Sequence, residues 1–255
     1  IVIRIEDWIE QNRQYVKDWF ELVHFFDTYN SLGNFAFNHQ NYVFPEISTQ
    51  ARKGLFDSQE LGHPLLDESK RIDNDFLIDK EAFYIVTGAN MAGKSTFLRT
   101  VSLAVIMSNM GLPVCAQRIV YSPTKLVTSM RTSDSLSDEA SYFYAELSRL
   151  RYIIDLLEQD DYFIILDEIL KGTNSVDKAT GSKKFVKRLI GTQSTGIIAT
   201  HDLSLCKIAD EHDEVSNYYF DAEIIDDELH FDYILKEGIC KNMNASFLLK
   251  KMDII

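Results

Sequence analysis

The sequence has few cysteines and no long uninterrupted apolar run. Its three cysteines, Cys115, Cys206 and Cys240, are far apart and show no CxxC or Cys/His ligand spacing. This pattern indicates free thiols in a reducing compartment and argues against a structural zinc site. Apolar runs all fall well short of the ~20 residues that a membrane-spanning helix needs. We therefore expect a protein with no membrane partner.

Positive charge is also scarce, because 26 Lys and Arg face 39 Asp and Glu, for a net charge of −13. A wide DNA-binding surface needs excess Lys and Arg to neutralise phosphates, so we do not expect one in this chain. The 255 residues, 45% of them hydrophobic, are enough for one large α/β domain or for a domain with a helical appendage. Because the chain begins at Ile1 rather than methionine, we expect it to be a piece of a longer protein.

Residues 1–58 are predicted to form a helical segment followed by a linker. Apolar residues recur at mostly helical spacing from Ile5 to Phe26, which predicts an amphipathic helix whose aromatic stripe packs against the next element. Residues 41–47 read as an extended segment stopped by Pro45, and a polar, weakly patterned stretch follows to about Glu60. The second domain is therefore predicted at 59–255.

The most informative segment is TGANMAGKST, from Thr87 to Thr96, which lies between an apolar run predicted as a strand and a segment with helical apolar spacing. Gly88 and Gly93 permit backbone angles that turn successive N–H groups toward phosphate oxygens at the start of a helix. Lys94 is then predicted to reach the β- and γ-phosphates, and Ser95 to bind Mg²⁺. The alternative is a glycine-rich strand-to-helix turn with an exposed lysine.

Two further apolar runs end in polar residues. Residues 162–166 precede Asp167 and Glu168, and residues 196–200 precede His201. Unbroken apolar runs are typical of buried parallel strands, and ligands bind beyond the carboxyl ends of such strands. Asp167 is predicted to support Mg²⁺ directly or through water, and Glu168 to orient or deprotonate the attacking water; the alternative is an acidic turn pair. His201 is predicted to contact the γ-phosphate, with a structural histidine as the alternative.

The remaining pattern predicts an α/β fold. Helical segments at 143–157 and 178–189 would connect strands of a mostly parallel sheet. After Asp213, residues 215–225 and 229–235 predict an antiparallel hairpin, and residues 245–252 a closing helix. Ser141 lies near the start of the helix at 143–157, where the pattern alone favours a simple N-cap.

Four segments together resemble the ATPase domain of MutS-type DNA mismatch repair proteins. They are GHPLL at 62–66, the loop at 87–96, LDE at 166–168 with GTN at 172–174, and ATH at 199–201. NYVFP at 41–45 and NASF at 244–247 resemble the lead-in and closing segments of that family. The resemblance implies a P-loop NTPase of the ABC-ATPase-like type that hydrolyses ATP with Mg²⁺. It also implies a homodimer in which each nucleotide site is completed by the partner subunit.

The resemblance further assigns roles to individual residues. Glu168, His201 and Lys94 would be catalytic, and Ser95 and Asp167 would hold the metal. The nucleotide contacts would be Gly88, Ala89, Asn90, Met91, Ala92, Gly93, Lys94, Ser95 and Thr96 from the loop, Ser141 acting across the dimer, and His63 and Phe76 near the adenine. The region of Asp177 would lie between the two sites. There are two departures from positions where the family usually has glycine. Glu139 would bring negative charge close to the partner's γ-phosphate, which weakens the assignment of Ser141, and Leu248 indicates a divergent branch.

At the level of the whole protein, the resemblance implies that domains outside this chain bind mismatched or distorted DNA. It also implies a downstream repair partner and a location in the bacterial cytosol or nucleoid. Three alternatives stay open: a paralogue acting on recombination intermediates, the ATPase subunit of an ABC-type transporter, and a non-catalytic module that dimerises on ATP. The segments at 63–64 and 172–174 argue against the transporter.

Overall fold

The computed structural model describes residues 2–48, 54–130, 139–192, 194–226 and 228–241, with the backbone alone at 139–142. The chain divides into two compact units, Ile1–Tyr42 and Val43–Ile255. This division lies earlier than the predicted boundary at 58/59. Within the described ranges, no helix is both long enough and apolar enough to span a membrane.

The first unit contains one long helix, α1, at Val2–Asn38. The helix continues past the predicted end because residues 27–38 contain no proline. No residue between Val2 and Asn38 is buried, so the prediction that its aromatic stripe packs into a core is wrong. Its apolar side chains are spread around the helix, and its rings contact each other instead: Trp8 and Trp19 have centroids 6.2 Å apart, and Phe25 and Tyr29 4.4 Å apart.

The second unit is an α/β structure of sheets and helices. Its strands are β1 Glu46–Ile47, β2 Phe56–Leu61, β3 Asn74–Ile78, β4 Phe83–Gly88, β5 Arg118–Tyr121, β6 Lys125–Ser129, β7 Tyr162–Asp167, β8 Thr195–Ala199, β9 Val215–Phe220, β10 Glu223–Ile225, β11 Glu228–His230 and β12 Leu235–Glu237. Its helices are α2 Lys94–Asn109, α3 Glu139–Leu157, α4 Ser175–Ile190 and a 3₁₀ helix at Leu203–Asp210.

The main sheet has six strands in the order β12-β9-β4-β8-β7-β6. All neighbouring pairs are parallel except β12 with β9. The central strands β4, β7 and β8 are almost entirely buried, as their unbroken apolar runs predict. Ile85, Ile164 and Ile198 are fully buried in one core, to which α3 and α4 contribute Ile153 and Leu189.

A second sheet has the order β1-β5-β2-β3 and mixes parallel and antiparallel pairs. It includes residues that the sequence assigned to a linker. In β2, Phe56, Ser58 and Leu61 are buried while Gln59 and Glu60 are exposed. A strand with only one buried face carries many polar residues, which is why this segment resembled a linker.

The predicted hairpin after Asp213 is only partly correct. Its two-stranded part is the short antiparallel pair β10–β11. β9 instead joins the main sheet parallel to β4, and β12 pairs with the outer edge of β9. Directly after β9, the carboxylate of Asp221 accepts a hydrogen bond from the N–H of Ala222 at 2.9 Å. The predicted closing helix at 245–252 lies outside the described residues.

Register in the main sheet brings the ends of three strands to one edge. Ala199 is opposite Val86 in the β4–β8 pair and opposite Asp167 in the β7–β8 pair. Two hydrogen bonds extend this alignment past the strands: Glu168 N–H donates to the carbonyl of Ala199, and Thr200 N–H to that of Val86. The residues that follow β4, β7 and β8 therefore lie side by side.

We expect Gly88→Ala to destabilise the second unit by about 2–4 kcal/mol. Gly88 has φ +148°, and an added Cβ would lie 2.7 Å from the carbonyl oxygen of Phe220. Gly111 is a matched control, because it also has positive φ (+70°) but no atom within 4 Å of an added Cβ. Gly111→Ala should cost about 1 kcal/mol, from the backbone angle alone. Urea unfolding measures both; equal losses would contradict the close contact at Gly88.

Candidate functional site

The loop between β4 and α2 has the backbone that an anion-binding turn requires. Gly88, Met91 and Gly93 have φ of 148°, 68° and 107°. α2 begins at Lys94, directly after Gly93, which has no side chain with which to cap the helix. The first N–H groups of a helix have no partner within the helix and carry the positive end of its dipole. This arrangement suits phosphate oxygens.

Lys94 bends back over this loop. Its side chain is buried, and Nζ donates hydrogen bonds to the carbonyl oxygens of Gly88 and Ala89, both at 2.8 Å. Backbone carbonyls offset part of the cost of removing an ammonium group from water. The ammonium group is therefore held against the loop.

The loop opens onto a cavity of about 600 Å³, a volume typical of ligand sites. The cavity is lined by Leu61, His63, Leu66, Lys70, Arg71, Ile72, Asn74, Asn90, Met91, Gly93, Lys94, Ser95, Thr96, Phe97, Thr100, Asp167, Glu168, Lys171, His201, Phe220 and Tyr233. The loop, the ends of β7 and β8, and the segment between β2 and β3 thus share one concave surface.

Glu168 is held by contacts to both oxygens of its carboxylate. Oε1 lies 2.9 Å from Nε2 of His201, and Oε2 lies 2.9 Å from Nζ of Lys171. The hydrogen bond with His201, and then the contact with Lys171, hold the pKa of Glu168 well below its usual range. Glu168 is therefore ionised throughout the neutral pH range, beside the buried carboxylate of Asp167.

Two side chains with exposed apolar surface also line the cavity. Ile72 and Tyr233 line it and keep 47% and 43% of their surfaces exposed. Asn74 supports Tyr233: its amide donates to the carbonyl of Tyr233 at 3.0 Å and accepts from the N–H of Leu235 at 2.7 Å. These contacts hold Tyr233 at φ +55°, an angle uncommon for a residue with a side chain.

His63 also lines the cavity. Burial, and then the positive charge of Arg99, lower the pKa of His63, so its neutral form is favoured. Nδ1 of His63 accepts a hydrogen bond from the N–H of Leu65 at 3.2 Å, so the neutral imidazole has its donor N–H at Nε2.

The sequence profile of MutS domain V matches residues 84–250 of the chain, which include the loop, Asp167, Glu168 and His201. The chain belongs to the MutS family. The DNA mismatch repair protein MutS of Aquifex pyrophilus is 32% identical over 191 residues, covering 72% of this chain and 22% of that protein. The protein of the same name from Finegoldia magna is 31% identical over 231 residues, covering 88% and 26%. MutS protein homolog 4 of Homo sapiens is 28% identical over 193 residues, covering 71% and 20%.

This MutS-family chain therefore spans about a fifth to a quarter of the length of the curated relatives it matches. The matched region, which begins in β4, contains the main sheet and the cavity's reactive side chains. The long helix α1 lies outside it.

The structure brings most of the predicted site residues to the cavity. Those that line it are His63, Asn90, Met91, Gly93, Lys94, Ser95, Thr96, Asp167, Glu168 and His201. Gly88, Ala89 and Ala92 are buried in the loop itself. The predictions for Glu139 and Ser141 fall outside the residues whose side chains are described, and the one for Leu248 falls outside the described residues. Asp177 lies in the first turn of α4, where its N–H donates to the side chain of Asn174.

Phe76 is not brought to the cavity. Its ring is buried in an aromatic cluster with centroids 5.3 Å from Tyr84, 5.0 Å from Phe97 and 5.8 Å from Tyr218. Phe97 lines the cavity, so Phe76 supports the wall without being part of the described lining. We therefore remove Phe76 from the set of nucleotide contacts. From sequence alone, an aromatic residue in a half-buried strand fits both a nucleotide contact and a core packing position.

Sequence reasoning missed Lys171, Ile72, Asn74 and Tyr233. Lys171 follows Glu168 by three residues, a spacing that indicates contact only when the backbone turns. Tyr233 falls in a segment that was predicted to be a strand, where an aromatic residue is ordinary.

Ser95 and Asp167 fit a magnesium ion. Mg²⁺ is usually held by one or two carboxylates together with substrate phosphates and water, and both side chains line the cavity beside the loop. In the described part of the chain, no group of three or more His, Cys, Asp and Glu side chains could hold a metal. A site of this kind therefore depends on phosphate oxygens for its remaining ligands.

We expect Lys171→Met to raise the pKa of Glu168 toward its ordinary value, because one of the two contacts that stabilise the carboxylate is removed. The hydrogen bond with His201 should still keep this pKa below the usual range. Lys183→Met is a matched control, since it removes the 3.1 Å ion pair with Glu211 rather than one with Glu168. A ¹³C NMR titration of the glutamate carboxyls measures the change. An identical Glu168 titration in both variants would contradict the Lys171–Glu168 ion pair.

Proposed function

We propose that this chain is the Mg²⁺-dependent ATPase domain of a MutS-like DNA mismatch repair protein, with a P-loop NTPase fold of the ABC-ATPase-like type. The observation that supports this most is that Lys94, Asp167, Glu168 and His201, which follow three adjacent parallel strands, line one cavity. The match to MutS domain V supports the same conclusion.

The loop binds the triphosphate in this proposal. Its N–H groups and the start of α2 supply positive potential without a mobile side chain. Lys94 supplies a full charge, and it reaches the β- and γ-phosphates by exchanging its contacts with the carbonyls of Gly88 and Ala89 for phosphate oxygens.

Ser95 and Asp167 are the residues that would hold Mg²⁺. When bound, the ion offsets the negative charge of the β- and γ-phosphates. Asp167 is 5% exposed and is the last residue of the buried strand β7, so its carboxylate has little freedom to move.

Glu168 acts on the attacking water. An efficient general base has a pKa near the working pH, whereas the contacts with His201 and Lys171 hold the pKa of Glu168 far below it. Glu168 is therefore better suited to accept a hydrogen bond from the water and orient it than to remove its proton completely. His201 keeps this carboxylate at the cavity wall, because its Nε2 lies 2.9 Å from Oε1 of Glu168.

Ile72 and Tyr233 enclose the base of the nucleotide, and His63 offers it a hydrogen bond from Nε2, since Nδ1 already accepts one from Leu65. The exposed apolar surface of both side chains is available for a planar ring. Asn74 keeps Tyr233 in place through its two backbone hydrogen bonds.

In the full-length protein, we propose that ATP closes a homodimer and that hydrolysis resets it. Ser141, in the first turn of α3, would complete the partner's site. Domains outside this chain would bind mismatched or distorted DNA in the cytoplasm and engage a downstream repair protein. The names of the Aquifex and Finegoldia relatives support the repair role. The net charge of −13 supports the proposal that DNA binds to domains outside this chain.

A second candidate is a module that binds ATP to dimerise but does not hydrolyse it. It is favoured by one observation: both oxygens of Glu168 are already engaged, by His201 and Lys171. In that case His201 and Lys171 would block the approach of water to the lone pair that each oxygen still has.

The two candidates differ in the effect of substitutions at Glu168 and Lys94. We expect Glu168→Gln to keep ATP affinity within about threefold and to lower kcat by about 100-fold or more, because it removes the charge that orients water. Lys94→Ala should weaken ATP binding itself by about tenfold or more. Equilibrium binding of Mg-ATP and phosphate release at high protein concentration measure these effects. Lys184→Ala, an exposed lysine on α4, is the control and should change neither.

Three results separate the candidates. Phosphate release that Glu168→Gln abolishes supports the ATPase. Tight ATP binding by the wild-type chain without phosphate release supports the second candidate. No binding of Mg-ATP by the wild-type chain would contradict both.

We expect Tyr233→Ala to weaken ATP binding by about tenfold, because stacking of a base on an aromatic ring contributes about 1–3 kcal/mol. Binding of inorganic triphosphate, which has no base, should be unchanged. Tyr152→Ala, a half-exposed tyrosine on α3, is the control. Isothermal titration of each variant with ATP and with triphosphate measures the difference. Equal losses for the two ligands would show that Tyr233 affects the loop rather than the base.

A further inference from the structure

The chain segment that follows Glu168 has an unusual backbone. Glu168 and Leu170 have φ of 51° and 57°, although neither is glycine. Each such residue costs about 1–3 kcal/mol and persists only where surrounding contacts hold it. Side chains of Ile169 and Leu170 are buried, which supplies part of that restraint.

The carboxylate of Glu146, on α3, supplies a second restraint. Oε1 accepts a hydrogen bond from the N–H of Leu170 at 2.6 Å, and Oε2 accepts one from the N–H of Lys171 at 3.1 Å. Two successive backbone donors in an irregular segment are thus satisfied by one side chain. Hydrogen bonds to an ionised acceptor are stronger than those between neutral groups.

Close packing at Gly172 adds a third contact between this segment and α3. A Cβ at Gly172 would lie 2.9 Å from Cβ of Phe143, so the backbone approaches the helix as closely as glycine permits. Residues 170–172 are therefore held on α3 by Glu146 and Phe143 together.

The position of this segment determines what surrounds Glu168. The backbone N–H of Lys171 donates to the carboxylate of Glu146, and the ammonium group of Lys171 contacts Oε2 of Glu168. The other oxygen of Glu168 contacts His201. A shift of residues 170–171 would therefore move one of the two groups that aim the carboxylate. Glu146 is not among the described residues that line the cavity.

We propose that Glu146 is a positioning residue for Glu168, acting through the backbone of Leu170 and Lys171. This inference rests on the proposed ATPase function and adds a residue to it that does not contact the nucleotide. It also makes α3 the element on which the orientation of Glu168 depends.

Glu146→Gln and Glu146→Ala test this role in the complete chain. Gln keeps the volume but offers one acceptor oxygen instead of two, and Ala offers none. We expect kcat for ATP to fall about tenfold in Gln and further in Ala, with the ATP dissociation constant within about twofold of wild type. Hydrogen exchange at the amides of Leu170 and Lys171 should become faster in the same order. Asp155→Asn is the matched control, because it alters an exposed carboxylate on α3 that pairs with Arg151.

The outcomes are distinct. Unchanged kcat and unchanged amide exchange in both variants would overturn the inference. A parallel loss of ATP affinity and kcat would also overturn it, because a general loss of structure produces that result. If Glu146→Ala does not fold, the isosteric Gln variant decides by the same measurements. A wild-type chain that binds ATP without releasing phosphate would remove the proposed function and this inference with it. If the wild-type chain hydrolyses ATP and both variants hydrolyse it equally fast, only the inference about Glu146 is overturned.

Discussion

The parallel pairing of β4, β8 and β7 is the constraint on which the site depends. Parallel strands in register must end at the same edge of a sheet, and here Ala199 lies opposite both Val86 and Asp167. The hydrogen bonds from Glu168 to Ala199 and from Thr200 to Val86 extend this alignment into the loops. Residues far apart in sequence are thus brought together by the strands that they follow, and Glu168 and His201 are close enough to contact each other.

Two segments at that edge contain residues with positive φ. The loop before α2 contains positive φ at Gly88, Met91 and Gly93, and the segment after β7 contains it at Glu168 and Leu170. Glycine tolerates these angles at positions 88 and 93, whereas the second segment depends on burial and on hydrogen bonds that it donates to a neighbouring helix. The buried core of the sheet supplies the rigid support that both segments need.

The sequence predicted what local pattern determines and missed what distant partners determine. Unbroken apolar runs identified β4, β7 and β8, and helical spacing identified α2, α3 and α4, because these patterns follow from burial on known faces. β2 resembled a linker, since its burial on one face arises from pairing with β3 and β5. Phe76 and Tyr233 show the same limit: both are aromatic residues in or near strands, and only tertiary packing separates a core ring from a cavity wall.

The hydrogen bonds of Lys94 to its own loop have a thermodynamic consequence. An ammonium group that is already out of water has lost most of its hydration when the chain folds, rather than when a ligand arrives. An anion that replaces the two carbonyls exchanges one set of partners for a stronger one, with little additional dehydration of the lysine. The strand-to-helix turn is therefore preorganised for an anion. Until an anion binds, the carbonyl oxygens of Gly88 and Ala89 occupy the positions around the ammonium group that the anion's oxygens would take.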